Sequence, residues 1–138
     1  MTLKEIARSE VVTVSPDTPV EETAATMREA GVGSLVVVDD GDMVGIVTDR
    51  DIGLKIWEAA DPRAVTTAAL MTEDPVTVEI DATVYDALQT AREADVRRLP
   101  VVENGALAGI ITLDDVVVLL AGELEAVSDV IQAESPPY

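Results

Sequence analysis

The chain has 138 residues, of which 48% are hydrophobic, so it can build one compact domain or two small, tightly packed halves. It contains neither cysteine nor histidine, which excludes disulfides and thiolate metal sites and removes the commonest general base of enzymes. With 27 acidic and 9 basic residues, its formal net charge of -18 disfavours binding to nucleic acid and to anionic membrane surfaces.

The first half predicts a strand, a helix, a hairpin and a second helix, in that order. Residues 11–14 form a short β-like run. The helix that follows has apolar residues at spacings of three and four and ends at Gly31. Residues 35–38 and 43–47 flank a polar turn, which predicts a hairpin. A further helix is expected to begin near Thr48.

The second half repeats the first without a gap. Of the 41 positions from 12 to 52, 18 are identical to the residue 64 positions later. The same order of elements is therefore predicted again, and Asn104-Gly105 between two apolar runs is a strong two-residue hairpin signal. Because a unit of roughly 60 residues buries little surface alone, the halves should pack on each other.

The C-terminal stretch from Asp114 to about Ala133 predicts one long helix, or two short helices broken near Gly122. Its apolar stripe should be buried against the body or against a second subunit. Trp57, in the segment that connects the halves, is expected to pack against the fold, Tyr85 is expected to be exposed, and residues 135–138 are expected to form a loose tail. The stripe consists of Val117, Leu120, Leu124, Val127 and Ile131.

The acidity of the chain has two interpretations. Lys4 and Lys55 are the only lysines, and acidic, lysine-poor surfaces resemble those of halophilic microbes with a salt-rich cytoplasm. The alternative is a basic protein partner. No apolar run approaches the roughly 20 residues of a membrane span, and the N-terminus lacks an apolar stretch of signal-peptide type, so we expect a cytoplasmic protein.

Three pairs of stretches follow in the same order in each half: residues 7–14 and 70–78, 31–38 and 96–102, and 45–52 and 109–116. Together they resemble cystathionine-β-synthase (CBS) domains, from about Leu3 to about Ala121. The resemblance implies an α/β (α+β) fold of two CBS domains, each β-α-β-β-α, packed sheet to sheet about a pseudo-twofold axis. The first domain and the connecting segment would take residues 1–66, and the second domain and C-terminal helix 67–138.

The resemblance also implies a function. Many CBS pairs bind AMP, ADP, ATP or S-adenosylmethionine in clefts between the halves, as regulatory ligands and not as obligatory cofactors. The chain is thus expected to be a stand-alone regulatory module, not an enzyme, which forms a homodimer and signals to a separate, unknown protein. The alternative is a ligand-independent dimerisation or scaffold module.

Two Thr-x-x-Asp segments are the leading site candidates: Thr48 with Asp51, and Thr112 with Asp115. Each stands where a strand runs into a helix, whose N-terminal N–H groups suit a phosphate. Family resemblance implies that the carboxylate accepts hydrogen bonds from both ribose hydroxyls. The alternative is a plain helix capping box.

Three arginines are candidate phosphate ligands, because guanidinium groups bind phosphate bidentately. Arg97 and Arg98 mark the cleft expected to bind better, while Arg50 lies inside the first Thr-x-x-Asp segment. The alternative is that Arg50 and Arg97 pair with surface acids.

Apolar residues are needed to wall an adenine ring, and they could equally belong to the ordinary core. Two neighbouring residues of the matching stretches complete the predicted ligand set. The candidate walls are Val12, Leu35, Val76 and Leu99, and the two neighbours are Ser34 and Pro100.

Overall fold

The structure is a computed structural model that describes residues 1–135; the rest of the predicted tail, residues 136–138, lies outside the described residues. Strand, helix, strand, strand and helix follow one another twice, as predicted. Two 3-10 turns, Ile56–Glu58 and Pro62–Ala64, lie in the connecting segment. The elements are α1 (Leu3–Ile6), β1 (Thr13–Val14), α2 (Val20–Ala30), β2 (Ser34–Asp39), β3 (Asp42–Thr48), α3 (Asp49–Lys55), α4 (Thr67–Leu70), β4 (Thr72–Glu73), β5 (Val78–Glu79), α5 (Val84–Ala94), β6 (Arg98–Glu103), β7 (Ala106–Thr112) and α6 (Leu113–Glu134).

Each half contains a small mixed sheet. The first has the strand order β1-β2-β3-β4 and the second β5-β6-β7, with a parallel first pair and an antiparallel hairpin in both. Both hairpins turn through two residues with positive φ, Asp40-Gly41 and Asn104-Gly105. This conformation suits glycine and asparagine and matches the twist of the strands. The mixed α/β fold with two repeated halves is confirmed.

Alternating side chains give each sheet two buried faces. On one face, the strands pack against the helices of their own half. On the other face, Val36, Ile46 and Pro100 are also buried, and β3 of the first sheet contacts β7 of the second. Because successive residues of a strand point to opposite faces, this second layer lies between the sheets. The halves therefore pack sheet to sheet, as expected.

The N-terminal segment packs against the second half. Leu3 is fully buried in the core cluster of that half. Its backbone N–H donates to the carbonyl of Ala82 at 2.9 Å, and Lys4 N–H donates to Ile80 at 3.0 Å. Farther along, Arg8 and Ile110 exchange two backbone hydrogen bonds, each 3.0 Å long. Residues 3–8 are thus attached to a sheet that is built about 100 residues later in the chain.

The segment that opens the second half makes the reciprocal contact. Thr67 is fully buried, and its hydroxyl lies 2.6 Å from that of Thr23 in α2. Its backbone N–H donates to the Thr18 carbonyl, and β4 extends the first sheet beside β3. Each half is therefore completed by a segment that precedes the other half, which interlocks them. The assignment of residues 1–66 and 67–138 to separate domains stays a prediction.

The C-terminal helix α6 is continuous through Gly122, which selects the single long helix from the two alternatives. Its predicted apolar stripe is not buried against the body: the five side chains are between 46% (Leu120) and 71% (Leu124) exposed. Trp57 is 86% exposed, so the expectation that it packs against the fold is wrong, while the exposure of Tyr85 is confirmed. None of the helices in residues 1–135 has the length and apolar character needed to cross a membrane.

Candidate functional site

A cleft of about 230 Å³ opens between the two halves. This volume is slightly below the roughly 300–1,000 Å³ of typical small-molecule pockets, so a nucleotide would fill it and remain partly exposed. Five predicted site residues meet there. They are Val12 and Ser34 from the first half and Arg98, Thr112 and Asp115 from the second.

The Thr112–Asp115 pair forms the floor of the cleft at the start of α6. The Thr112 hydroxyl accepts from the Asp115 backbone N–H at 3.1 Å, and Oδ2 of Asp115 accepts from the Thr112 backbone N–H at 3.3 Å. This is a complete capping box. The N-terminus of α6 and the side chains of Thr112 and Asp115 thus face the cleft. At this position a capping box and a ligand-binding role are compatible.

Arg8 supplies a second partner for the Asp115 carboxylate. Its Nη2 and Nε atoms donate to Oδ1 of Asp115 at 2.7 and 3.2 Å. Burial alone raises the pKa of the Asp115 carboxyl, but hydrogen bonds from Arg8 and Thr112 and the Arg8 charge outweigh it, so the pKa falls below its ordinary value. The same ion pair raises the pKa of Arg8. Asp115 is therefore an anion at neutral pH.

This lowered pKa predicts a pH-dependent effect on stability. A carboxyl whose pKa is lower in the folded than in the unfolded state stabilises the fold above the unfolded value, about 3.9, and loses that contribution as pH falls through the folded value. Urea unfolding of the wild type and Asp115→Asn should therefore differ most near neutral pH, with the difference shrinking below about pH 4. A difference that stays constant down to pH 2.5 would contradict the lowered pKa.

Arg98 brings positive charge to the opposite wall. Its Nη2 atom lies 2.8 Å from the position that a Cβ atom would occupy at Gly33, so it can take this position only because residue 33 lacks a side chain. Oδ2 of Asp49 lies 3.2 Å from the same Cβ position. Within residues 1–135, no ion pair of 4.0 Å or less involves Arg98. Its guanidinium group is therefore available to an anionic ligand.

The first Thr-x-x-Asp segment lies outside this cleft. Thr48 and Asp51 form a capping box with two 3.0 Å hydrogen bonds at the start of α3. Oδ1 of Asp51 lies 3.6 Å from Nζ of Lys55 in the same helix. Arg50 is exposed and does not line the cleft. The two Thr-x-x-Asp segments thus have different surroundings, as the divergence between the halves predicted.

Four further candidates lie elsewhere. Arg97 does not itself line the cleft but pairs at 3.4 Å with Asp114, an exposed residue that does, so the predicted alternative of a surface ion pair applies to it. Leu35 and Leu99 belong to the helix-side cores, because alternation along β2 and β6 turns them away from the opposite sheet. Val76 is 44% exposed. Pro100, in the layer between the sheets, is fully buried as well.

A third copy of the motif shows why spacing alone does not identify a ligand site. Thr83 and Asp86 at the start of α5 form the same capping box, with two 3.1 Å hydrogen bonds, yet neither lines the cleft. All three pairs cap helices. Only Thr112–Asp115 combines the cap with charged residues from distant parts of the chain.

Sequence reasoning missed Arg8, Glu10, Val11, Val32 and Gly33, which also line the cleft. Residues 7–14 belong to one of the stretches that carried the family resemblance, but nothing local connects Arg8 with Asp115, 107 positions away. The pairing of Arg8 with Ile110 in the second sheet creates this contact. The cleft thus offers a carboxylate for hydroxyl groups, guanidinium groups for an anion, and valines for an apolar ring.

A family model described as "CBS domain" matches residues 3–56 and 67–122. An uncharacterized protein of Methanopyrus kandleri is 39% identical over 115 residues, which are 81% of this chain and 59% of that protein. The CBS domain-containing protein YhcV of Bacillus subtilis is 32% identical over 116 residues, 84% of this chain and 83% of its own length.

Among solved structures, that of CBSX2 in complex with AMP superposes with a TM-score of 0.74 and 29% identity, covering 90% of this chain and 98% of that one. The match with the M. kandleri relative spans less than two thirds of the length of that protein. Both halves match the family model, and the fold, the repeat and the relatives agree with it. The chain belongs to the CBS domain family.

Proposed function

We propose that this protein is a regulatory module that binds an adenosyl ligand in the cleft at Asp115. The observation that carries the proposal is the convergence of a helix-capping carboxylate with Arg8 and Arg98 in one cleft between the halves. Its relative CBSX2, at 29% identity, was crystallised with AMP, which supports an adenine nucleotide as the ligand class.

The chemistry of the cleft suggests how such a ligand would lie. The Asp115 carboxylate would accept hydrogen bonds from the ribose hydroxyls, and a phosphate would approach the N-terminus of α6 and the guanidinium group of Arg98. Val12 and Val32 would provide an apolar wall for the adenine ring. Because residues of both halves would contact one ligand, binding would alter the relative position of the halves and hence the surface offered to a partner protein.

Calorimetric titration in a buffer rich in potassium chloride tests the proposal, with AMP, ADP, ATP and S-adenosylmethionine as ligands. We expect saturable micromolar binding of at least one of the four. If folded protein gives neither heat nor a thermal shift with any of them, the scaffold function, in which all three Thr-x-x-Asp pairs only cap helices, replaces the ligand sensor.

We further propose that the protein forms a homodimer through α6. The exposed stripe from Val117 to Ile131 repeats at intervals of three and four residues, and its members fall within an arc of about 80°. From Leu120 onward the side chains of α6 are exposed, and a short helix without tertiary contacts is only marginally stable in water. A partner surface is therefore needed to cover this stripe.

The charges of α6 favour a second copy as that partner. The helix carries six acidic residues and no lysine or arginine, but the stripe itself is free of charge. Glu123 is the only charged residue at the flanking positions that decide partner choice in paired helices; the others are Ala121, Ser128 and Val130. Two copies of α6 can therefore meet along the stripe while their remaining acidic side chains point to solvent.

Leu124→Glu tests the dimer by placing a charge in the middle of the stripe. We expect the mass measured by light scattering to fall from twice the 14.6 kDa of the chain to a single chain mass. Ala126→Glu is the matched control, because it adds the same charge on the opposite side of the helix and should leave the dimer intact. Equal masses for Leu124→Glu and the wild type would exclude this interface.

The remaining expectations stay proposals. The excess of acidic residues, with Lys4 and Lys55 as the only lysines, supports an origin in a salt-rich cytoplasm, where the acidic surface keeps the protein in solution. We propose that the module acts on a partner protein. Its surface would need to recognise either the paired halves in their ligand-bound arrangement or the acidic face of the module.

A further inference from the structure

We propose that the Arg8 side chain is a latch on Asp115, which means that it occupies the carboxylate until a ligand displaces it. This makes the cleft select phosphorylated adenosine nucleotides over unphosphorylated adenosine derivatives. This inference rests on the proposed function, since it assigns a ligand class to the same cleft. It starts from the two oxygens of the Asp115 carboxylate. Oδ2 accepts from the Thr112 backbone and Oδ1 accepts twice from Arg8. No oxygen of this carboxylate is left without a donor.

Each carboxylate oxygen can accept about two hydrogen bonds, so Oδ1 is filled by the two Arg8 donors, whereas Oδ2 can accept one more. A ribose diol that donates to both oxygens must therefore displace a donor. The Thr112 N–H belongs to the backbone of the capping box, so it moves only if the start of α6 unwinds. Arg8, by contrast, contributes a side chain that is 65% exposed. Its contact with Asp115 is the one that a ligand can open without disturbing the fold. A ligand whose two ribose hydroxyls donate to both carboxylate oxygens therefore competes with Arg8 for Oδ1.

The displaced guanidinium group remains beside the cleft. The backbone N–H and carbonyl of Arg8 both form hydrogen bonds with Ile110. The carbonyl oxygen of Arg8 also lies 2.8 Å from the position that a Cβ atom would occupy at Gly109. Only the side chain is free to move. When it leaves Asp115, it lies in a cleft that also contains Arg98, and two guanidinium groups there suit a phosphate. Besides Asp115, the acidic residues that line the cleft are Glu10 and Asp114, and Asp114 pairs with Arg97 at 3.4 Å.

Selection follows from these two steps. A ligand without a phosphate breaks the Arg8–Asp115 pair and offers the guanidinium group nothing in return. A ligand with a phosphate breaks the same pair but gains a charge-assisted contact with the released arginine. The equivalent position in the first half is Thr72, which cannot act as such a latch, so the two halves are not interchangeable in this respect.

Titrations of Arg8→Ala with AMP and with 5′-methylthioadenosine test the latch. We expect 5′-methylthioadenosine to bind Arg8→Ala about two- to fivefold tighter than it binds the wild type, because the exposed Arg8–Asp115 ion pair no longer has to be broken. The ratio of AMP affinity to 5′-methylthioadenosine affinity should fall about tenfold or more, because the phosphate loses a charged partner. Circular dichroism and thermal unfolding would verify that the variant is folded.

Arg92→Ala is the matched control, since it removes the same charge from an exposed position of α5 outside the cleft and should change neither affinity. Unchanged or weaker binding of 5′-methylthioadenosine to Arg8→Ala would overturn the latch, and an unchanged affinity ratio would overturn the selection. If Asp115→Ala abolishes binding while Arg8→Ala has no effect, the proposed function stands and this inference fails. If the wild type binds neither ligand, both fail.

Discussion

Replacing Asp115 with alanine should weaken AMP binding by about 100-fold, because two charge-assisted hydrogen bonds to the ribose are lost together. The substitution also removes half of the capping box of α6, which should cost about 1 kcal/mol of stability. Isothermal titration measures the first effect and urea unfolding the second. A loss of stability without a loss of affinity would identify Asp115 as a capping residue only.

Asp86→Ala provides the control for this result. Asp86 forms the same two capping hydrogen bonds with Thr83, at 3.1 Å each, but at the start of α5 and outside the cleft. The substitution should cause a similar loss of stability and leave AMP affinity unchanged. The comparison therefore separates the role of the carboxylate in ligand binding from its role in the helix. Equal losses of affinity in both variants would show that the effect arises from general loosening of the fold.

Leu3→Ala should destabilise the protein by about 2–5 kcal/mol, the cost typical of truncating a fully buried leucine. The size of the effect is unusual for a residue this close to the N-terminus, where chains are often loosely held. It is expected because Leu3 lies in the core of the second half and not of the first. Urea unfolding followed by circular dichroism measures it.

Leu54→Ala is the control for this substitution, since Leu54 is 64% exposed and its truncation should change stability by no more than about 0.5 kcal/mol. A loss below about 1 kcal/mol for Leu3→Ala would contradict the interlocked arrangement of the halves. It would mean that the N-terminal segment contributes little to the second half. The same segment also places Arg8 beside Asp115, so its attachment bears on the proposed ligand selection as well.

Two of the differences between the repeated halves change the charge of the cleft. Arg98 and Arg8 line the cleft beside Asp115, whereas their counterparts in the repeat are the uncharged Ser34 and Thr72. Positive charge is therefore found at the Asp115 side. At the equivalent place in the first half, the carboxylate of Asp51 has a lysine from its own helix as its charged neighbour. The duplicated backbone therefore places its two Thr-x-x-Asp segments in different electrostatic surroundings. We expect ligand binding to be tighter at the Asp115 side.

The sequence by itself determined the fold class and the order of elements, because those depend on local patterns. The hairpin at Asn104-Gly105 and the start of α6 at Thr112 follow from turn and capping chemistry that acts over a few residues. The repeat at an offset of 64 then extended each local prediction to the other half. Thr112 and Asp115 became ligand candidates through the family resemblance, and Arg98 became one through its charge.

Tertiary structure alone decided which candidates meet. Arg97 and Arg98 are adjacent in sequence, but successive residues at the start of a strand point to opposite sides, so Arg98 lines the cleft and Arg97 does not. Arg97 instead pairs with Asp114. Arg8 reaches Asp115 because Leu3 anchors the N-terminal segment in the other half. Contacts between residues more than 100 positions apart depend on the packing of whole halves, and no local pattern encodes them.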